Sequence, residues 1–172
     1  MTLKFRKDLP SLRSGRVLRD LVGSLAGACE RGDFRVVHYS IHSNRALFLV
    51  EAAGRDALGC GMKSLAARFA RAVNRGLARK GPVLGDRYDV RVLRSPREVR
   101  DALVTVLAGT RALRGTALAP ASSARWFDGW AGPRAVPPEG TRPVAAPHTW
   151  LLRVGWRRHG LISPSEVPSV AG

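Results

Sequence analysis

The sequence has few cysteines and no long apolar run, and these two shortages exclude several classes of protein. No apolar run approaches the roughly 18 residues of a membrane helix, and the start "MTLKFRKDLP" lacks the apolar centre of a secretory signal. Cys29 and Cys60 lie in separate helix-like segments without the spacing of metal ligands. We therefore expect a cytoplasmic protein with no membrane partner, in which both cysteines are small core residues.

Acidic residues are also scarce. Aspartate and glutamate number 13 against 29 lysines and arginines, which gives a formal net charge of +16. Arginine greatly outnumbers lysine, and a GC-rich genome explains that preference but not the shortage of acids. A field this positive attracts polyphosphate, because neutralising phosphates releases condensed counterions. The charge therefore favours a nucleic-acid partner and a nucleoid-associated protein over incidental basicity.

What is present suits one domain of ordinary size, since 172 residues that are 45% hydrophobic can bury a core. Alternating and helical spacings predict strands at 2–7, 34–41, 45–52 and 87–93, and helices at 18–29, 55–80 and 96–111. The turn "HSN" joins the second and third strands as an antiparallel hairpin. The order β-α-β-β-α-β, with a further helix, matches a ferredoxin-like split βαβ fold of the α+β class, with helices on one face of an antiparallel sheet.

The stretch "SPRE", residues 95–98, predicts the start of the last helix. Ser95 suits the N-cap, Pro96 the first helical position, and Glu98 completes a capping box. The domain predicted over residues 1–114 is followed by a Pro-, Gly- and Ala-rich C-terminal extension over 115–172, which partly packs back on it.

The extension carries two aromatic patches. Their members are Trp126, Phe127, Trp130, Trp150 and Trp156. These side chains either form a platform on which bases stack or fasten the extension to the domain, and fastening is the preferred interpretation.

The third predicted strand has two different faces. Ala46, Phe48 and Val50 are uniformly apolar and mark its core face. The residues of the opposite face are Arg45, Leu47, Leu49 and Glu51. This second face begins with a guanidinium and ends with a carboxylate, around two leucines, so the core does not account for it and it lines some other surface of the protein.

Three blocks of the sequence, in the same order, resemble the single-tyrosine HUH transposases, and in particular the REP-associated tyrosine transposases of bacteria. The blocks are "VVHYSIHSNRALFLVEA", "GDRYDVRVLRSPREVRDALVTVL" and "SSARWFDGW". The resemblance extends from the first strand to "GWRRHGLI", and the chain enters the first strand late, which favours a longer natural N-terminus. It implies cleavage and rejoining of single-stranded DNA through a phosphotyrosine, recognition of imperfect hairpins, and a divalent metal, Mg²⁺ or Mn²⁺.

The resemblance also implies four site positions: two metal-binding histidines on the third strand, and a nucleophilic tyrosine followed by a metal-binding amide on the last helix. These positions hold Arg45, Leu47, Thr105 and Gly109. Arginine and leucine cannot ligate a cation, threonine has a shorter and less acidic hydroxyl than tyrosine, and glycine has no side chain. No catalytic residue of the family is therefore retained, and we expect no metal cofactor.

Three nearby residues are candidates to substitute for the missing groups. His38 and His42 share a strand face, but their spacing is too wide for both to hold one ion easily, and His42 lies at the turn. Tyr88 follows an arginine in an "RY" pair that active relatives also carry, so it is interpreted as a DNA-contacting or packing residue. Neither the histidines nor Tyr88 replace the missing chemistry.

Two groups of basic residues are candidates for nucleic-acid binding. A stripe on the second predicted helix consists of Arg68, Arg71, Arg75 and Arg79, followed by Lys80. The segment "DRYDVRVLR" supplies Arg87, Arg91 and Arg94, with Tyr88 able to stack on an unpaired base. Each arginine of the stripe is as readily a solvated helix side chain. Arg45 either pairs with the phosphate that the metal polarises in relatives or extends into solvent, and solvent is slightly favoured.

Three hypotheses follow. The first is an inactive transposase relative that binds single-stranded or hairpin DNA without cleaving it. The second is an active transposase or nuclease with relocated catalytic residues. The third is a decaying insertion-sequence relic, against which the intact cap and core stripes argue. The oligomeric state stays open between monomer and homodimer.

Overall fold

A computed structural model describes residues 1–26, 30–108, 121–132, 140 and 142–168 of the chain. The strands are β1 (Thr2–Lys4), β2 (Glu30–Arg31), β3 (Phe34–Ile41) and β4 (Arg45–Ala52). The helices are α1 (Gly15–Ala26), α2 (Arg55–Gly76), α3 (Pro96–Leu107) and α4 (Trp150–Arg153), with short 3₁₀ helices at Ser123–Trp126 and Gly155–His159. The strands form one antiparallel sheet in the order β1-β4-β3-β2. The predicted α+β class is confirmed. None of the helices in this part of the chain is long and apolar enough to cross a membrane.

The hairpin of β3 and β4 forms as predicted, with Phe34 opposite Ala52 and Ile41 opposite Ala46. Its register shifts between Val36 and His38, which marks a β-bulge. The inserted residue reverses the alternation of side chains. Val36 and Tyr39 therefore belong to the same core, whereas His38 is buried on the other face, against Ser123 and Phe127.

The fourth predicted strand, 87–93, is wrong as a regular strand. Residues 83–89 run antiparallel beside β1, and Thr2 and Asp89 exchange two backbone hydrogen bonds of 2.9 and 3.0 Å. Beyond Asp89 none of the described strands pairs with the segment. Val90 and Val92 are consequently 46% and 63% exposed. The segment nevertheless occupies the edge position that the ferredoxin-like order assigns to its fourth strand.

Helices α1 and α2 cover one face of the sheet and build the larger core with β1, β3 and β4. Gly61 allows α2 to approach the sheet closely, because a Cβ at this position would overlap the ring of Phe34. Helix α2 ends at Gly76, before the predicted residue 80, since Ala78 takes a positive φ of 50° and turns the chain away. Cys60 is exposed on α2, so its predicted place in the core is wrong, and Cys29 lies outside the described residues.

Helix α3 begins with the predicted capping box. Ser95 Oγ accepts a hydrogen bond of 3.2 Å from the Glu98 backbone N–H, and the Ser95 N–H donates to Glu98 Oε2 at 3.1 Å. Hydrogen bonds from the backbone N–H groups of Arg94 and Ser95 hold the pKa of Glu98 below its ordinary value. The helix ends at Leu107, and the predicted end at Arg111 lies outside the described residues.

Removing this cap tests how much it stabilises the domain. We expect Ser95→Ala to lower the free energy of unfolding by about 1 kcal/mol, because the N–H of Glu98 loses its acceptor. Urea unfolding followed by circular dichroism measures the change. Ser43→Ala, in the exposed hairpin turn, is the matched control, and an equal loss in both variants would contradict the role of the cap.

The C-terminal extension packs on the sheet face that α1 and α2 leave open. It shares a second core with α3 and β4, built around Leu49, Leu103, Phe127, Trp156 and Ile162. Arg100 of α3 adds a polar tie, since it donates to the carbonyls of Gly160 and Leu161 and to the carboxylate of Glu166. The extension is therefore integrated with the domain predicted over residues 1–114, and its buried aromatic residues do fasten it.

Candidate nucleic-acid interface

The mixed face of β4 lines a groove of about 860 Å³ between the sheet, α3 and the segment that follows Tyr88. Leu47 and Thr105, two of the four family positions, both lie on its wall. The Thr105 hydroxyl forms a hydrogen bond within α3, since its Oγ1 donates to the Asp101 carbonyl oxygen at 2.9 Å. The groove thus lies where β4 and α3 face each other, and most of its lining is aliphatic.

The residues at the family positions do not fit a divalent cation. Arg45 is exposed beside the hairpin turn, opposite Lys4 of β1, and carries no lone pair for a metal. Leu47 has no donor atom, and Gly109 lies outside the described residues. Within the described ranges, no three His, Cys, Asp or Glu side chains are grouped so that they could hold a metal ion. We therefore derive no step through a metal.

The two strand histidines have separate packing environments. His38 is buried, with its Nδ1 3.1 Å from Ser123 Oγ, and burial lowers its pKa to about 3. His42 is half-buried, with its Nε2 3.3 Å from Ser40 Oγ, and its pKa is lowered by burial and by the nearby charges of Arg45 and Arg13. Because both histidines are engaged with serine hydroxyls, the structure agrees with their interpretation as packing features.

The arginine stripe lies on the opposite side of the sheet from the groove, because α2 and α3 pack on opposite faces. Arg75 forms an ion pair with Asp20 of α1, with 3.4 Å between Nε and Oδ2. Arg71 and Lys80 are exposed, and Arg68 and Arg79 are half-buried. Arg75 therefore ties α1 to α2, with Arg68 and Arg71 on the same helix. Arg79 and Lys80 lie beyond the end of α2 at Gly76, so their predicted place on this helix is wrong.

The second basic group lies next to the groove. Tyr88 and Arg91 line it together with Leu47 and Thr105. Tyr88 is half-buried against the larger core, and the Arg91 guanidinium lies 3.8 Å from Glu98 Oε1. Arg87 and Arg94 are exposed on the same segment. The structure thus brings this group to the family positions and separates it from the α2 stripe.

A third basic surface, on the C-terminal extension, is not among the sequence predictions. It is a cleft of about 980 Å³ lined by arginines and aromatic side chains, among them Arg125, Trp126, Trp130, Arg142 and Arg153. The signal for it lies in "ARWFDGW" and "TWLLRVGWRR", where arginines stand close to tryptophans. The prediction of aromatic patches covers the tryptophans of these segments but leaves out the arginines between them.

Comparisons of the chain with protein-family models, with curated proteins and with solved structures find no match. The resemblance to the HUH transposases therefore remains a prediction that depends on the three sequence blocks.

Proposed function

We propose that this protein is a transposase-like DNA-binding protein that binds single-stranded or hairpin DNA without cleaving it. The observation that carries the proposal is the composition of the groove. Leu47 and Thr105 line it where the resemblance implies a metal and a phenol, yet neither supplies one, and Arg91 and Tyr88 line the same groove. On this proposal the surface supplies no cleavage chemistry, but it carries groups that can hold a phosphate and stack on a base.

The distribution of charge supports the same proposal. Most arginines in the described ranges belong to no ion pair. The exceptions are Arg6, Arg75, Arg91, Arg100 and Arg157. Unpaired guanidinium groups release counterions when they meet phosphates, which is the main source of affinity for nucleic acid.

Binding measured across a salt series tests the proposal. We expect hairpin and linear single-stranded DNA to bind more tightly than duplex DNA, with an affinity that falls as salt rises, by a slope of about 0.7 per phosphate neutralised on a single strand. Combined Tyr88→Ala and Arg91→Ala should weaken binding of single-stranded DNA about tenfold or more, since the variant can neither stack a base nor hold a phosphate there. Arg19→Ala, an exposed arginine of α1, is the control. A shallow salt slope without preference among the three ligands would remove the proposal.

The alternative, an active nuclease with relocated residues, makes the opposite prediction about chemistry. We expect incubation with hairpin oligonucleotides and Mn²⁺ to give neither nicks nor covalent protein–DNA adducts on denaturing gels, because Arg45, Leu47 and Thr105 supply neither metal ligand nor phenol. An adduct that depends on Mn²⁺ would contradict the proposal.

A companion variant combines Arg45→His, Leu47→His, Thr105→Tyr and Gly109→Asn. We expect this variant to gain Mn²⁺ binding, measured by calorimetry, and to nick hairpin DNA only if the surrounding site is intact. The relic hypothesis is tested separately by thermal unfolding of the unmodified protein, because a sharp cooperative transition argues against a decaying sequence.

A further inference from the structure

The cleft of the C-terminal extension has the construction of a ligand site. It opens beside the 3₁₀ helix Ser123–Trp126 and lies against the segment 142–157. His38, only 4% exposed, lines it from β3. Its volume of about 980 Å³ is at the upper end of the range for small-molecule sites, which is roughly 300–1,000 Å³.

The aromatic part of the lining is held in place by hydrogen bonds and ring contacts. Trp130 Nε1 donates to the Ala124 carbonyl oxygen at 3.0 Å, and its ring meets Phe127 edge-on with 5.2 Å between centroids. Trp156 Nε1 donates to the Leu152 carbonyl oxygen at 3.2 Å. Trp126 and Trp130 are nevertheless only half-buried. Part of the Trp130 indole is thus accessible in a fixed orientation, and the Arg125 guanidinium lies over the Trp126 ring, 5.6 Å from its centroid, so a flat ligand meets a partly ordered aromatic surface.

The charged part of the lining is strongly positive. Four arginines line the cleft, at positions 125, 142, 153 and 157, against the single carboxylate of Asp128 among the described lining residues. Asp128 already pairs with Arg157, with 2.9 Å between Oδ1 and Nη2. The lining therefore has an excess of guanidinium groups over carboxylates, and this excess favours an anionic ligand.

Arg142 is the least satisfied of these groups. Its Nε is buried and has no hydrogen-bond partner in the part of the chain that the structure describes. A buried donor without an acceptor is costly, and the side chain that carries it lines the cleft, where its positive charge adds to that of the other arginines. Burial also lowers the pKa of Arg142, which points to the same unfavourable environment for its charge.

We infer that this cleft binds one nucleotide unit of single-stranded nucleic acid, with the base on an exposed indole surface of Trp126 or Trp130 and the phosphate on the arginines. The inference rests on the proposed function and names a second site for it, which contains none of the family positions and shares Leu152 with the lining of the groove. Inorganic phosphate alone would leave the indoles unused, and an uncharged aromatic ligand would leave the guanidinium groups unpaired. A base joined to a phosphate uses both.

Indole resonances of the four tryptophans give a direct test. In ¹⁵N-labelled protein we expect deoxyadenosine monophosphate to shift the Nε1–H signals of Trp126 and Trp130, while Trp150, which does not line the cleft, stays in place. Adenosine and inorganic phosphate should each bind more weakly than the nucleotide, and a short oligo(dA) should bind more tightly. Equal affinity for the free nucleotide and the oligonucleotide would overturn the assignment to a strand, and unmoved Trp126 and Trp130 signals would overturn the site.

Variants of exposed arginines extend the test without disturbing the core. Combined Arg125→Ala and Arg153→Ala should weaken oligo(dA) binding about tenfold and lower the salt slope by about 0.7 for each phosphate that is no longer neutralised. Arg158→Ala is the matched control, since this exposed arginine lies over Trp150 outside the cleft. Trp126→Ala and Trp130→Ala are compared, and at least one of them should weaken binding about fivefold or more, because the base loses its stacking partner.

The outcomes separate this inference from the proposed function. Oligonucleotide binding that all cleft variants leave unchanged would overturn the cleft site, while the proposed function would stand. Absence of any binding to single-stranded DNA would overturn the proposed function, and with it the assignment of the cleft to a strand.

Discussion

Replacing Trp156 with alanine should lower the free energy of unfolding by about 3–5 kcal/mol, the range for truncating a large buried aromatic side chain. Trp156 is 1% exposed and lies 5.4 Å from Phe127 between ring centroids. Gly129 packs directly against both rings, because a Cβ at that position would overlap them. The indole thus fills the space between the extension and α3, and few neighbours can move into the cavity that its removal would create.

The measurement is urea unfolding monitored by circular dichroism, with Trp150→Ala as the matched control. Trp150 is the same residue type in the same extension but is 49% exposed, so its replacement should cost no more than about 0.5 kcal/mol. If the two variants lost equal stability, the extension would be only loosely attached, and the second core could not be counted as part of the domain.

The hairpin and the start of α3 could be predicted from the sequence because their determinants are local. The predicted bounds 34–41 and 45–52 match β3 and β4, since β-branched and aromatic residues flank a short polar turn. Ser95, Pro96 and Glu98 determine the start of α3 through contacts within one helical turn. Such features need no knowledge of distant parts of the chain.

The bulge in β3 could not be predicted, and the reason is its burial. All eight residues of β3 are buried, so the pattern shows no contrast between faces that would indicate a reversed alternation. The prediction for segment 87–93 failed for a different reason. Its alternation is strand-like, but strand formation needs a partner, and none of the described strands pairs with the segment beyond Asp89.

The candidate site also has one part that could be predicted from the sequence and one part that could not. The predicted facing of Leu47 and Thr105 follows from the resemblance, which places the strand and the last predicted helix at one site, whereas the ferredoxin-like plan puts its two helices on the other face of the sheet. The cleft does not, because it joins His38 to residues that lie far along the chain, around 125 and 142–157. A run of arginines and tryptophans does not reveal which rings are packed and which line a surface.

Buried His38 should make the free energy of unfolding depend on pH. The imidazole is buried beside Ser123 and Phe127, and the charged group that acts on it is Arg142. Burial first, and the positive charge of Arg142 second, lower its pKa from 6.5 to about 3. Ser123 Oγ also accepts a hydrogen bond of 3.0 Å from the Tyr39 backbone N–H. The neutral ring is thus embedded in a small polar network that a proton would disturb.

The direction in which stability changes with pH follows from the pKa of His38 in the unfolded chain, 6.5, and in the folded chain, about 3. Between pH 6.5 and about 3 the unfolded chain binds a proton at this residue and the folded chain does not. The stability that neutral His38 contributes is therefore complete above pH 6.5 and is lost as the pH falls, by roughly 1.4 kcal/mol per pH unit, or about 2 kcal/mol at pH 5. The carboxylates with lowered pKa values, Asp8, Glu98 and Glu166, lose their contribution only at lower pH.

Urea unfolding at pH 7, 6 and 5 measures this slope, and His38→Gln should remove most of it, because the amide does not titrate. His42→Asn is the necessary control, since the pKa of His42 is also lowered, though this residue is only half-buried. Comparing slopes rather than absolute stabilities separates the effect of the proton from any change in packing. If His38→Gln kept the full slope while His42→Asn removed it, the burial of His38 would not be the source of the acid sensitivity, and the contact of β3 with Ser123 would have to open in solution.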